Sequence, residues 1–307
     1  MRNTFANWLT KEAIGMNSLL VTGDLGFGVF EEFRRVHPHR FINAGVAEQS
    51  MIGMAAGLST MFGRVFVYSI GNFASLRCLE QIRNDVAYMN LQVTVVSVGS
   101  GFSYGSQGYT HHAIEDISAL RAIPNLFLYQ PADIIELESV LTEIKQSDSP
   151  SFLRLGRGGE PKIHEMNCDL DVASPLVLSN GRDGHIFFSG PIGFEVEGAR
   201  QILAGQGIFP SIYSCPRLSP NYNFCDFINF SGTSVFLVVE EHVGSGALMS
   251  SMLESLIGHD INLGNFCHLS IDTEAIHEFG DQGYLRKLHK IDSTSIAKAF
   301  KSLVDKH

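Results

Sequence analysis

FINAGVAEQSMIGMAAGLS, residues 41–59, passes from a short apolar strand through a tight turn into a helix of small residues, with one carboxylate, Glu48, at the join. Phe41–Asn43 reads as the end of a core strand and Ala44–Ala47 as the turn. Ser50–Ser59, rich in Ala, Gly and Met, reads as a helix packed closely on its neighbours. The neighbourhood of Glu48 therefore reads as buried. A carboxylate in such surroundings is either paired or takes up a proton. Two readings stay open from this stretch alone: Glu48 or Gln49 caps the first helical turn, or the acid performs chemistry.

Working outward, the same strand-then-helix alternation runs through the chain. Strands are expected at Leu19–Thr22, Arg40–Asn43, Val65–Ser69, Val93–Val98, Leu126–Tyr129 and Phe152–Leu155. Helices are expected at Ser50–Met61, Phe73–Tyr88, Asp116–Ala122 and Asp133–Gln146. Near-continuous apolar strands between helices imply a parallel sheet covered on both faces. A polar, glycine-rich stretch interrupts the pattern. It then restarts with strands at His185–Ser189, Phe209–Ser214, Ser234–Glu240 and Asn265–Ser270, and helices at Gly193–Gly205, Gly246–Ile257 and Ser293–Leu303. The expectation is an α/β chain of two doubly wound domains, residues 1–157 and 184–307, joined by a linker over 158–183.

The 307 residues are 45% hydrophobic and 18% charged, enough for two cores. A formal net charge of -10 argues against a nucleic-acid or membrane-surface role, which needs a positive footprint. Cys78, Cys168, Cys215, Cys225 and Cys267 are odd in number and contain no C-x-x-C pair, so neither a disulfide framework nor a zinc site is indicated. With no basic-then-apolar leader and no membrane-length apolar run, a reducing, cytoplasmic setting is expected.

A second unusual stretch, GSGFSYGSQGYTHH at residues 99–112, follows directly on the strand Val93–Val98. Ligands of open α/β sheets bind at the carboxyl ends of strands. Glycines there let backbone approach a ligand, and the loop brings two imidazoles, His111 and His112, to that edge. Adjacent histidines rarely converge on one metal, so no metal site is expected.

GVAEQ at 45–49, NFASLRCLEQIRNDVAYMNLQVTVV at 72–96, GYTHHAIEDISALRAIPN at 108–125 and QPAD at 130–133, in this order and spacing, resemble the thiamine-diphosphate transketolase family. VVEEHVGSGAL at 238–248 and FGDQGYLRKL at 279–288 are similar to that family's C-terminal domain. The resemblance extends to 1-deoxyxylulose-5-phosphate synthase and, more distantly, to the beta subunits of 2-oxoacid dehydrogenases. It implies a pyrimidine-binding fold followed by a C-terminal-like domain with a mixed sheet.

The resemblance also implies roles. Glu48 would hydrogen-bond N1′ of the cofactor's aminopyrimidine, promoting loss of the proton from the thiazolium C2. Phe73 would stack on the pyrimidine, with Ile70 and Arg77 as pocket walls and Asp24 lining the cleft unless it is a helix N-cap. His111 would face the substrate, with His112 beside it, and Arg154 or Arg157 would grip a substrate phosphate. Gln107 stands where relatives carry an aspartate, and Gly99 and Gly28 where they carry phosphate-binding residues. These three departures imply an unusual acceptor sugar. The family's Mg²⁺ and diphosphate ligands have no counterpart in this sequence, which implies a separately encoded partner subunit in an α2β2 heterotetramer. Competing expectations are a subunit that uses a 2-oxoacid donor and a non-catalytic regulatory subunit.

Overall fold

The computed structural model describes residues 1–164, 170–218, 224, 235–257 and 265–306, so Cys168 and Cys225 lie outside the described residues. Two sheets organise the chain. The first comprises β1 (Leu19–Thr22), β2 (Phe41–Asn43), β3 (Val65–Ile70), β4 (Val93–Val98), β5 (Phe127–Tyr129) and β6 (Ser151–Leu155), in the order β2-β1-β3-β4-β6-β5. All its pairs are parallel. The second comprises β7 (Leu176–Ser179), β8 (His185–Phe188), β9 (Ser211–Ser214), β10 (Val235–Val243) and β11 (Asn265–Ile271), in the order β11-β10-β8-β9-β7. It is mixed, because β7 joins β9 antiparallel while the other pairs are parallel.

The helices are α1 (Arg2–Glu12), α2 (Glu31–Val36), α3 (Glu48–Ser59), α4 (Gly71–Ala74), α5 (Leu79–Gln81), α6 (Asp116–Arg121), α7 (Ile134–Gln146), α8 (Gly193–Ala204), α9 (Leu248–Leu256), α10 (Gln282–Leu288) and α11 (Ser293–Val304). Among the described residues none is long and apolar enough to cross a membrane.

Side chains alternate across a strand, and here both sets are apolar. Leu19, Val21, Val65, Val67, Val93 and Val95 pack on Met51, Ile52 and Ala55 of α3. Leu20, Phe66, Tyr68, Val96 and Val98 pack on Phe5 and Leu9 of α1 and on Leu137, Val140 and Leu141 of α7. The first of these cores runs on into Phe187, Phe236 and Val238 of the second sheet and Leu248 and Met252 of α9. The opposite face of the second sheet packs with α8 and α11. At the end of β10 the buried Glu240 accepts from Leu248 N (2.8 Å), Met249 N (3.1 Å) and His268 Nε2 (2.8 Å), tying α9 and β11 together.

The expected helix Phe73–Tyr88 is broken into α4, a 3₁₀ turn at Leu76–Cys78, α5 and a π turn at Ile82–Ala87. Ala74, Cys78, Ile82 and Val86 are all fully buried, a strict spacing of four. An α-helix turns every 3.6 residues, so that stripe drifts unless a wider turn takes up the lag. At the break, Ser75 Oγ donates to Gly71 O (2.9 Å).

The stretch expected as linker carries regular structure and fixed contacts among its described residues. It contains β7, and Asp133, the N-cap of α7, also accepts from Ile163 N and His164 N, both at 2.9 Å.

Candidate active site

In the first sheet the chain leaves β1 for β2 on one side and then crosses to β3 on the other. The crevice at the carboxyl ends of such strands is where α/β sheets bind ligands. Four connections meet there: the loop after β1, the turn Ala44–Ala47, α4, and the loop Gly99–His112.

Glu48 opens α3 and is 4% exposed. The residue before it, Ala47, is the N-cap, and no side chain caps the helix, so the capping reading of Glu48 or Gln49 is not observed. Its surroundings are less buried than expected. Val46 is 75% exposed, and Ala47, Gln49 and Ser50 face outward, so the carboxylate sits just inside a mouth rather than in a closed core. Gly23 closes one wall, since a Cβ there would lie 3.7 Å from Glu48 Cγ.

Glu48 Oε2 accepts from Arg77 Nη1 at 2.8 Å, and Oε1 has no hydrogen-bond donor among the described residues. The Arg77 guanidinium also lies 4.5 Å above the Phe73 ring, a cation–π contact. Phe73 in turn meets His111 edge-to-face, with ring centroids 5.3 Å apart. Ile70 is the N-cap of α4, half-buried at the foot of this group. Glu48, Arg77, Phe73 and His111 thus form an unbroken file, although they come from three separate connections.

The two histidines part company. His111 is half-buried, with Nδ1 3.0 Å from Thr110 Oγ1. His112 is fully buried, its Nε2 3.0 Å from Gly105 O and its carbonyl accepting from Asn72 Nδ2 at 2.7 Å. The expected substrate role of His112 is corrected: its ring is fully buried and holds the loop's own backbone. Arg154 is corrected for the same reason. It is 0% exposed, and its guanidinium bonds Asp116 Oδ2 (2.9 Å) and Ala113 O.

Asp24 is no N-cap. It is exposed, in the left-handed region (φ 57°), and exchanges two hydrogen bonds with Asn43, at 2.9 and 3.0 Å. Gly45 N donates to the same Asn43 Oδ1, so this unanticipated asparagine joins the connections after β1 and β2. Gln107 is exposed in a 3₁₀ turn. Arg157 lies in a separate cleft of about 310 Å³, with its guanidinium 5.4 Å above Tyr104, together with Ser106, Gln282 and Arg286. Glu48, Phe73 and His111 do not line that cleft. Asn72 and Thr110 were also not anticipated; both are polar neighbours of residues that were.

Residues 1–161 match the family described as "Transketolase, pyrimidine binding domain". The chain is 33% identical over 268 residues to a protein of Methanocaldococcus jannaschii provisionally named a transketolase C-terminal section, covering 87% of this chain and 83% of that one. It is 30% identical over 273 residues to the 6-deoxy-6-sulfo-D-fructose transketolase subunit SqwH of Clostridium sp. strain MSTE9, covering 88% and 83%. Among solved structures it is similar to "Split gene transketolase, inactive beta4 tetramer", with a TM-score of 0.84 and 24% identity over 99% of this chain and 98% of that one.

Proposed function

This chain belongs to the transketolase family, and on that premise we propose that it is the C-terminal subunit of a split transketolase. Its reaction would move a two-carbon ketol unit from a ketose to an aldose through thiamine diphosphate. The observation that carries the reading is the file Glu48–Arg77–Phe73–His111 at the carboxyl edge of the sheet.

The donor set fits an aminopyrimidine. Such a ring offers a flat π face and a ring nitrogen with a lone pair; the site offers a half-buried phenyl ring and a carboxyl oxygen with no donor among the described residues, able to share a proton with that nitrogen. When bound, the cofactor supplies the reactive carbon that carries the ketol unit. Arg77 holds the Glu48 carboxylate in place, and Glu48 would share a proton with the ring nitrogen. Phe73 and Ile70 would wall the ring. With the Thr110 hydroxyl as the donor to Nδ1, His111 Nε2 would carry the hydrogen and donate toward a substrate oxygen. Asp24 is proposed as an outlying wall of the cofactor or substrate cleft, and Gln107 and Arg157 as outlying substrate contacts.

The diphosphate and Mg²⁺ would be held by a separately encoded subunit in an α2β2 assembly, in the cytoplasm. The relatives named as a section or subunit of a transketolase support a partner. Gln107, Gly99 and Gly28 support a modified or unphosphorylated acceptor. The pyrimidine-binding domain is proposed over 1–157. The C-terminal-like domain is proposed over 184–307, with β7 added to it from the linker.

The test is co-purification with the diphosphate-binding subunit, then a donor and acceptor screen with thiamine diphosphate and Mg²⁺. Glu48→Gln in the complex is expected to lower turnover by about 10²–10⁴-fold. Turnover by the chain alone, or consumption of pyruvate and of no ketose, overturns the reading.

A further inference from the structure

The loop that carries His111 is held from the second sheet. Its base is closed by Gly101 N to Ala113 O (2.9 Å) and Ala113 N to Gly101 O (3.1 Å). On its entry side Phe102 N donates to Glu241 Oε1 at 2.9 Å, and on its exit side Val243 N donates to Ile114 O at 2.9 Å. Glu241 and Val243 are two residues apart at the end of β10, so one strand end grips both limbs of the loop.

The grip is tightly built. Glu241 is 3% exposed, and besides Phe102 N its carboxylate accepts from Gln282 Nε2 (2.9 Å) and from Arg286 Nε (3.1 Å) and Nη2 (2.6 Å). Gly101, at φ 59°, is the residue that permits the approach: a Cβ there would lie 2.6 Å from Glu241 Cδ. The Phe102 ring, 1% exposed, lies between His289, stacked at 5.0 Å, and His112, edge-on at 5.1 Å. From the opposite side Asn72, next to Phe73, holds the His112 carbonyl. The backbone that presents His111 is therefore fixed between α4 and the end of β10.

We propose that Glu241 is a positioning residue for His111: its carboxylate, locked by Gln282 and Arg286, sets the loop from which the imidazole reaches the substrate. This rests on the transketolase reading above. A shift of about 1 Å in a reacting group can cost on the order of 10²-fold in rate, so a strong effect from a residue outside the crevice is expected.

The experiment compares Glu241→Gln with Glu195→Gln in the assembled two-subunit enzyme. Glu195 belongs to the same buried charge cluster, 3.3 Å from Arg286 Nη1, but has no bond to the loop. A glutamine at 241 has one acceptor oxygen for four donors, so the grip on Phe102 N weakens. Glu241→Gln is expected to lower turnover about 10–100-fold, and Glu195→Gln less than about 3-fold at a similar loss of melting temperature. On a His111→Ala background Glu241→Gln is expected to cost nothing further.

Glu241→Ala combined with Arg286→Met removes the grip without stranding a buried cation, and is expected to give the same loss if Glu241→Gln does not fold. Equal losses for the two single variants, or a full additional loss on the His111→Ala background, overturn the proposal. If the unsubstituted complex turns over no sugar, the functional reading fails separately. Amide exchange over residues 102–112 then decides the positioning claim: faster exchange in Glu241→Gln than in Glu195→Gln upholds it, and equal exchange overturns it.

Discussion

Arg154→Met separates a strut from a substrate contact. Arg154 and Asp116 are 1% and 0% exposed and bonded at 2.9 Å. With the guanidinium gone, the nearest other cation-forming group to Asp116 is His242, whose Nε2 is 3.9 Å away, too far for a hydrogen bond. Removing one partner of a buried pair costs about 3–5 kcal/mol, because the other charge stays buried and uncompensated. For a unit of this size each kcal/mol lowers the melting temperature by about 2–4 °C, so a fall of about 6–20 °C is expected. Arg157→Met, at an exposed guanidinium resting on Tyr104, should stay within about 0.5 kcal/mol, roughly 1–2 °C. Combining Arg154→Met with Asp116→Leu removes both charges and should recover most of the loss. The assay is thermal unfolding followed by circular dichroism at pH 7. An Arg154→Met midpoint within about 2 °C of the unsubstituted protein would refute the strut and return Arg154 to the cleft.

Phe73→Ala removes the proposed stacking surface and should weaken thiamine diphosphate binding by the assembled enzyme about 10-fold, read by titration calorimetry; unchanged affinity would remove Phe73 from the site. Burial pushes the Glu136 carboxyl up to about 7, and His164, opposed by burial but bonded to Asp133, is also raised. Folded protein then binds more protons than unfolded protein as pH passes from about 4.5 upward through neutrality, so this pair's stabilisation declines with rising pH. Melting temperatures from pH 5 to 8 should fall less steeply in Glu136→Gln than in the unsubstituted protein, and parallel slopes would contradict this.

The parallel sheet was readable because its central strands are buried on both faces, as in Val93–Val98, where all six residues are buried. What escaped the sequence is what depends on phase or on distant pairing. Helix α1 hides its apolar stripe, Phe5, Ala6 and Leu9, in polar residues, and β7 is an edge strand with only Leu176 buried. The π turn answers to a spacing of four that ordinary helical periodicity absorbs without notice. His111 and His112 are chemically identical neighbours, and only a 3₁₀ turn ending between them sends one to Phe73 and the other inward. Arg154 and Arg157 pose the same problem: strand β6 buries the first and ends before the second. The Glu48–Phe73–His111 group could be collected from matched motifs, whereas the Arg77 bridge and the Asn43 tie needed coordinates.

Glu240 and Glu241 are adjacent, both 3% exposed, and serve neighbours on opposite sides of β10, the first α9 and His268, the second Phe102 and Arg286. The acidic doublet is therefore a reading frame rather than a duplicated charge. Deleting a single residue earlier in β10 would put Glu241 among the donors of Glu240 and leave His242 facing Phe102 and Arg286, since a one-residue slip turns every side chain of a strand to the opposite face. Length, more than composition, is what this strand has to preserve.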